Sequence, residues 1–157
     1  MIDDTAKRLY FWEDNYVAKH QNHMQKLLTK QQCSDHIYHA CQATSTKIPA
    51  LRFKGVNAIP CKADFRKWEI TLAEWGNSSL TVLHETAHLA TFQDVLRGEN
   101  GHGPAFARQA IEFYSTFIGI NEEYLLETAF KCRVMVGPKK MDSPKKTLAS
   151  PFDDEIF

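Results

Sequence analysis

His84 and His88 lie four residues apart, with Glu85 directly after the first, inside the stretch LTVLHETAHLA (80–90) that otherwise reads as an apolar helix. Positions four apart on a helix share one face, so both imidazoles can be offered to a single ion. Glu85 sits one step around that helix, where its carboxylate can reach a water at the ion. Zinc lowers the pKa of water to about 7, and a carboxylate beside it can take the proton as the oxygen attacks a polarised carbonyl. The spacing therefore offers two ligands and a general base.

A catalytic zinc needs a third protein ligand and one open position. His102 is the leading candidate, because GHGP (101–104) puts a histidine in a tight turn at a helix start, able to fold back over the first helix. Glu112, the one well-placed acid on the following helix, is the alternative. The metzincin pattern would require glycine at 91 and histidine at 94, where this chain has Thr91 and Asp94, so that arrangement is excluded. Arg108, Tyr114 and Tyr124 could each reach an oxyanion beside the ion, and spacing does not choose among them.

Several elements must position these groups. Residues 3 to about 30 read as one long helix capped by Asp3 or Asp4, with Leu9, Tyr10, Trp12, Tyr16, Val17, Met24, Leu27 and Leu28 at roughly helical spacing. A second helix, capped by Ser34, runs to about Thr44. Short β-like runs follow: ALRF (50–53), NAIPC (57–61) and KWEITLAEW (67–75). In the last, Trp68, Ile70 and Leu72 alternate with Lys67, Glu69 and Thr71, the pattern of a half-buried or edge strand. Asn77, Ser78 or Ser79 caps the motif helix, which should continue to about Arg97. Pro104 suits the first turn of the next helix, Gly119 closes it, and Asn121 caps a last helix through about Val134.

With 157 residues and 43% hydrophobic content the chain can build a single core. The expected organisation is one domain, 1–136, and a flexible tail, 137–157. Nineteen basic residues balance nineteen acidic ones, so no global field selects a nucleic-acid partner. The start of the chain lacks a basic, then apolar, leader and no run is long enough for a membrane span, so the expectation is a cytoplasmic protein that is not secreted. Cys33, Cys41, Cys61 and Cys132 form no C-x-x-C pair and read as reduced packing residues.

The segment VLHETAHLATFQDVLRGENGHGPAFARQAIEFY (82–114) resembles the core of the SprT-like, Spartan-type zinc metallopeptidases, which join H-E-x-x-H to a downstream H-G-x-x-F or H-G-x-x-W. The resemblance implies an α+β, zincin-like core: N-terminal helices, a small β-sheet, an active-site helix and C-terminal helices. It implies His84, His88 and His102 as zinc ligands and Glu85 as general base. It also implies that the strand near 68–73 lies beside the cleft and receives an extended protein or peptide substrate. The zinc ribbon that longer members add is missing here, since no cysteines are paired.

Two further stretches suggest partners. Between Lys47 and Glu69, six basic residues outnumber two acids, with Phe53, Phe65 and Trp68 interleaved; Trp68, Arg66 and Lys67 are candidate contacts for substrate or for single-stranded DNA. The end SPFDDEIF, with Asp153, Asp154, Glu155, Ile156 and Phe157, is similar to the acidic tip of bacterial single-stranded DNA-binding proteins, and so suggests docking to a replication or repair protein. The pairs His36/His39, with Asp35, and His20/His23 have helical spacing but read as surface histidines. A zinc-stabilised adaptor without turnover is the rival to a peptidase, and Glu85 discriminates between them.

Overall fold

The structure is a computed structural model describing residues 2–20, 27–55, 61–73 and 77–140. Asp3 opens the first helix, α1 (Asp4–Trp12): its carboxylate accepts from the Ala6 N–H at 2.8 Å, satisfying one of the donors left over at a helix start. Leu9 and Trp12 are fully buried. At Glu13 the helix passes into a π-helical turn, Glu13–Val17.

The expected single helix to about residue 30 is therefore corrected. Thr29, not Ser34, caps the next helix, α2 (Lys30–Ala43): its hydroxyl accepts from the Gln32 N–H while the Gln32 side chain accepts from the Thr29 N–H. This reciprocal capping box satisfies two orphan donors at once, so the helix starts one turn earlier than the cap residue Ser34 suggests.

Three short strands form one mixed sheet in the order β1-β3-β2 (β1 Ala50–Lys54, β2 Lys62–Asp64, β3 Glu69–Ala73). β1 runs parallel to β3, with Leu51 opposite Ile70, and β2 runs antiparallel to it, with Ala63 opposite Ile70. β3 is thus the central strand, with Ile70, Thr71 and Leu72 all buried, rather than an edge. It begins at Glu69 because Trp68 turns the chain at φ +52° and donates its indole N–H to the Lys47 carbonyl at 2.7 Å. Of the NAIPC run, residues 57–60 lie outside the described residues, and the strand there is Lys62–Asp64.

Helix α3 (Ser79–Ala90) crosses the middle of the molecule. Ser78 caps it by accepting from the Thr81 N–H. On one side Leu83 and Ala87 join Leu9, Trp12, Phe106, Ile111 and Leu125 in the larger core; on the other, Val82 and Leu89 join Cys33, Ile37, Ile70 and Leu72 beneath the sheet and α2. A helix covered on both sides is apolar nearly all round, so the polar residues it carries inside need partners. It stops at Thr91, whose hydroxyl donates back to the Ala87 carbonyl, and a short α4 (Phe92–Leu96) continues the path expected of one helix to Arg97.

Pro104 opens α5 (Pro104–Phe113), which passes into a second π-helical turn, Tyr114–Ile118. Gly119 closes it at φ +86°. A Cβ there would meet nothing within 4 Å, so only the left-handed backbone resists substitution. Gly119→Ala should cost ~1–2 kcal/mol and lower Tm by a few degrees, as a thermal melt would show. Asn121 caps α6 (Glu122–Lys131), which ends short of Val134 because Arg133 takes φ +61° and Val134 N–H closes onto the Ala129 carbonyl.

Gly137, the first residue assigned to the tail, is packed, and residues 138–140 are exposed. Gly137 N–H donates to the Pro104 carbonyl, and Arg108 Nε donates to the Gly137 carbonyl at 2.8 Å. Residues 141–157, including the acidic tip Asp153–Asp154–Glu155–Ile156–Phe157, lie outside the described residues. No described helix is long and apolar enough to cross a membrane. The broad α+β class is observed: six α-helices among the described residues and one small mixed sheet.

Candidate metal centre

His84 and His88, one turn apart on α3, bring their ring centroids to 5.0 Å, and His102 lies 5.5 Å from the first and 4.7 Å from the second. One nitrogen from each of the three rings lies within 4.8 Å of the others, an arrangement that could hold a metal ion. Three imidazole nitrogens are a donor set that suits zinc.

The turn that delivers His102 is built by Asn100, whose carbonyl accepts from Gly103 N–H and whose side-chain oxygen accepts from His102 N–H at 2.8 Å. A Cβ on Gly103 would come within 3.0 Å of the Asn100 carbonyl oxygen, which accounts for glycine after this histidine. Four residues on, buried Phe106 packs against all three imidazoles, with centroids 4.9, 4.5 and 5.2 Å away. The H-G-x-x-F spacing therefore supplies a candidate ligand, a tight turn and an apolar floor.

Glu13 contacts this group and has no place in the reading of the sequence. Its carboxylate, almost completely buried, accepts from His84 Nδ1–H at 2.8 Å and from the Tyr114 hydroxyl at 2.5 Å. That bond commits Nδ1 of His84 and leaves Nε2 as its free lone pair. Glu13 and Tyr114 each begin one of the two π-helical turns, where the extra residue per turn re-aims side chains. The signal was an acid four residues after Leu9, on the same helix face as Trp12 and Val17.

Charge is distributed unevenly over the site. Burial opposes protonation of His84, but the Glu13 carboxylate and its hydrogen bond outweigh burial and hold its pKa above the ordinary value. His88 is pushed down to about 2, chiefly by burial and then by His84 and His102, and His102 is lowered for the same first reason. Both stay neutral, as ligands must. Glu85 is raised to about 7 by burial and by Glu13, against His84 and a backbone hydrogen bond from Ala63.

This predicts how the metal-free protein responds to pH. The unfolded chain loses the Glu85 proton near 4.5 and the fold only near 7, so stability falls with rising pH between those values and the full cost persists above. Metal-free Glu85→Gln cannot ionise there. Its Tm should exceed that of the wild type at about pH 8, by at most about 3 kcal/mol in stability, and converge with it below about pH 4. A set of melts across that range checks the sign.

The other anticipated residues fall elsewhere. Glu112 is not part of the histidine group; it lines a separate cavity of about 240 Å³ with Asp94 and Arg108, and burial raises its pKa. Of the three oxyanion candidates, Tyr114 is fully buried on Glu13, Tyr124 donates to the Tyr16 carbonyl, and Arg108 pairs with Gly137 and Glu122. The phenol at the site is Tyr10, whose hydroxyl lies 3.2 Å from His102 Nε2.

β3 is paired on both sides and has no free edge for a substrate strand. The free edge nearest Glu85 is β2, whose Ala63 N–H reaches the Glu85 carboxyl. Arg66 and Lys67 are exposed in the β2–β3 turn, their N–H groups held by Asp64. Trp68 packs on Phe92 and lines a cavity of about 510 Å³ with Lys47 and Lys140, of which none of the three histidines forms a wall. Phe65 also packs on Phe92, while Lys30 sits over Phe53.

His36 is hydrogen-bonded to Ser79, and His20 packs on Tyr124; His23 lies outside the described residues. The four cysteines are free, and the thiols of buried Cys33 and Cys41 are pushed up to about 11 by burial, as packing residues should be.

These features define an α+β domain with a three-histidine group, one ring buried and two half-buried, that could hold a metal ion. No family model matches the chain, and neither a curated protein nor a solved structure matches it.

Proposed function

We propose that this protein is a zinc-dependent metallopeptidase of the SprT-like, zincin type, with His84, His88 and His102 as ligands and Glu85 as general base. The observation that carries the proposal is the juxtaposition of three imidazoles, two of them held neutral, with a buried carboxyl next in sequence to one of them. An all-nitrogen donor set suits zinc, with cobalt or nickel as in vitro substitutes. When bound, the metal would supply Lewis acidity, activating water and polarising a carbonyl.

The protein's own groups account for the remaining steps. Glu85 accepts a proton from the attacking water as the new C–O bond forms and the carbonyl π pair moves onto oxygen. The same proton passes to the amine nitrogen as the C–N bond breaks. Glu13 orients His84 throughout, and Phe106 excludes water from beneath the rings. The outer edge of β2 offers backbone groups to an extended peptide.

Zinc-loaded protein should cleave a DNA-binding protein or a peptide mixture, with and without single-stranded DNA, as followed by intact mass. Cleavage should stop on chelation and return with zinc. One bound zinc and no cleavage of any substrate would favour the non-catalytic adaptor.

A further inference from the structure

Resting on the peptidase reading, we propose that Tyr10 is a further catalytic residue, donating the hydrogen bond that stabilises the carbonyl oxygen as it gains charge. Its ring lies nearly parallel to His84, at 27° and 5.9 Å between centroids, and edge-on to His102 at 5.1 Å. Its hydroxyl meets His102 Nε2 at 3.2 Å. Unlike fully buried Tyr114, it is only half-buried, packing against the larger core while its hydroxyl end meets the histidines.

The argument turns on the lone pair of one nitrogen. A neutral imidazole has one acceptor nitrogen, and a lone pair given to a cation cannot also accept a hydrogen bond. If Nε2 of His102 ligates the ion, the Tyr10 hydroxyl loses the partner it has here and its proton becomes available to another acceptor in the same place. The acceptor that the reaction generates there is the carbonyl oxygen, once the π pair has moved onto it.

The position of the hydroxyl is set by the fold before any substrate arrives, which is the condition for useful stabilisation of developing charge. Leu9 and Trp12 anchor α1 in the core on either side of Tyr10, and Trp12 Nε1–H donates to Thr128 at 2.9 Å. The loop carrying His102 is tied to the start of the same helix, where Asn100 Nδ2–H donates to Asp3 at 3.1 Å. Tyr10 and His102 are therefore held in register by one helix and one loop.

The test is Tyr10→Phe in the full zinc-loaded chain, with peptide turnover, zinc affinity and the affinity of a phosphinic peptide measured together. That peptide carries a tetrahedral, anionic oxygen where the transition state does. We expect kcat to fall about 100-fold with KM little changed. Phosphinic-peptide affinity should fall by a similar factor, with zinc affinity within twofold of wild type. Unchanged kcat and inhibitor affinity would overturn the role. So would zinc affinity falling in step with activity, which would make Tyr10 a support for His102 only. Wild-type protein that binds zinc yet hydrolyses nothing would remove the peptidase reading itself, and this role with it.

Discussion

Replacing Glu85 by glutamine should leave one zinc bound per chain and reduce peptide hydrolysis by about 10³-fold, within the range that a positioned general base contributes. Glutamine keeps the shape and can still accept from the Ala63 N–H, but it cannot take the proton from water. The prediction separates chemistry from structure because Glu85 is not one of the three nitrogen donors. Metal content of the zinc-loaded variant should therefore match wild type while turnover collapses. Equal turnover in the two proteins would remove Glu85 from the mechanism; a loss of zinc in step with activity would make it a ligand.

The second large effect is expected at Glu13. Glu13→Ala removes the acceptor shared by His84 Nδ1–H and the Tyr114 hydroxyl, leaving two buried donors unmet. Each orphaned group costs ~1–3 kcal/mol, so the metal-free variant should lose ~2–6 kcal/mol of stability. Zinc affinity should fall about 10–100-fold, because His84 loses the group that fixes its ring and its tautomer. The sign depends on pH. Glu13 also raises the pKa of His84, so at acid pH its removal eases proton competition for the metal and partly offsets the loss. The affinity should accordingly be compared at alkaline pH. Tyr114→Phe, which leaves the His84–Glu13 bond intact, should weaken zinc binding much less. Undiminished affinity in Glu13→Ala would reduce Glu13 to a packing residue.

What could be read from the sequence was what neighbouring residues decide. Ser78, Pro104, Gly119 and Asn121 mark helix ends through their own backbone preferences, and all four stand where expected. The His84–Glu85–His88 spacing becomes a shared helix face wherever that helix forms. His102, chosen over Glu112, joins the two motif histidines in the structure.

What could not be read depends on distant contacts. Alternation from Lys67 to Leu72 looks the same for an edge strand and a central one, and only the pairing of β1 and β2 on either side of β3 decides. The apolar spacing of residues 9–28 reads as continuous, yet a π-helical turn starts at Glu13 and Thr29, just beyond, caps a new helix. Glu13 and Tyr10 are 71 and 92 residues away from the histidines they touch, a proximity that only the packing of α1 against the site creates.

The central claim is that His84, His88 and His102 form one zinc centre, and calorimetric titration of the metal-free protein with zinc tests it most directly. The account predicts one zinc per chain, with binding weakened at least 100-fold by alanine at any of the three histidines and unaffected by His36→Ala. Binding that survives His102→Ala unchanged, or that is lost with His36→Ala, would contradict it.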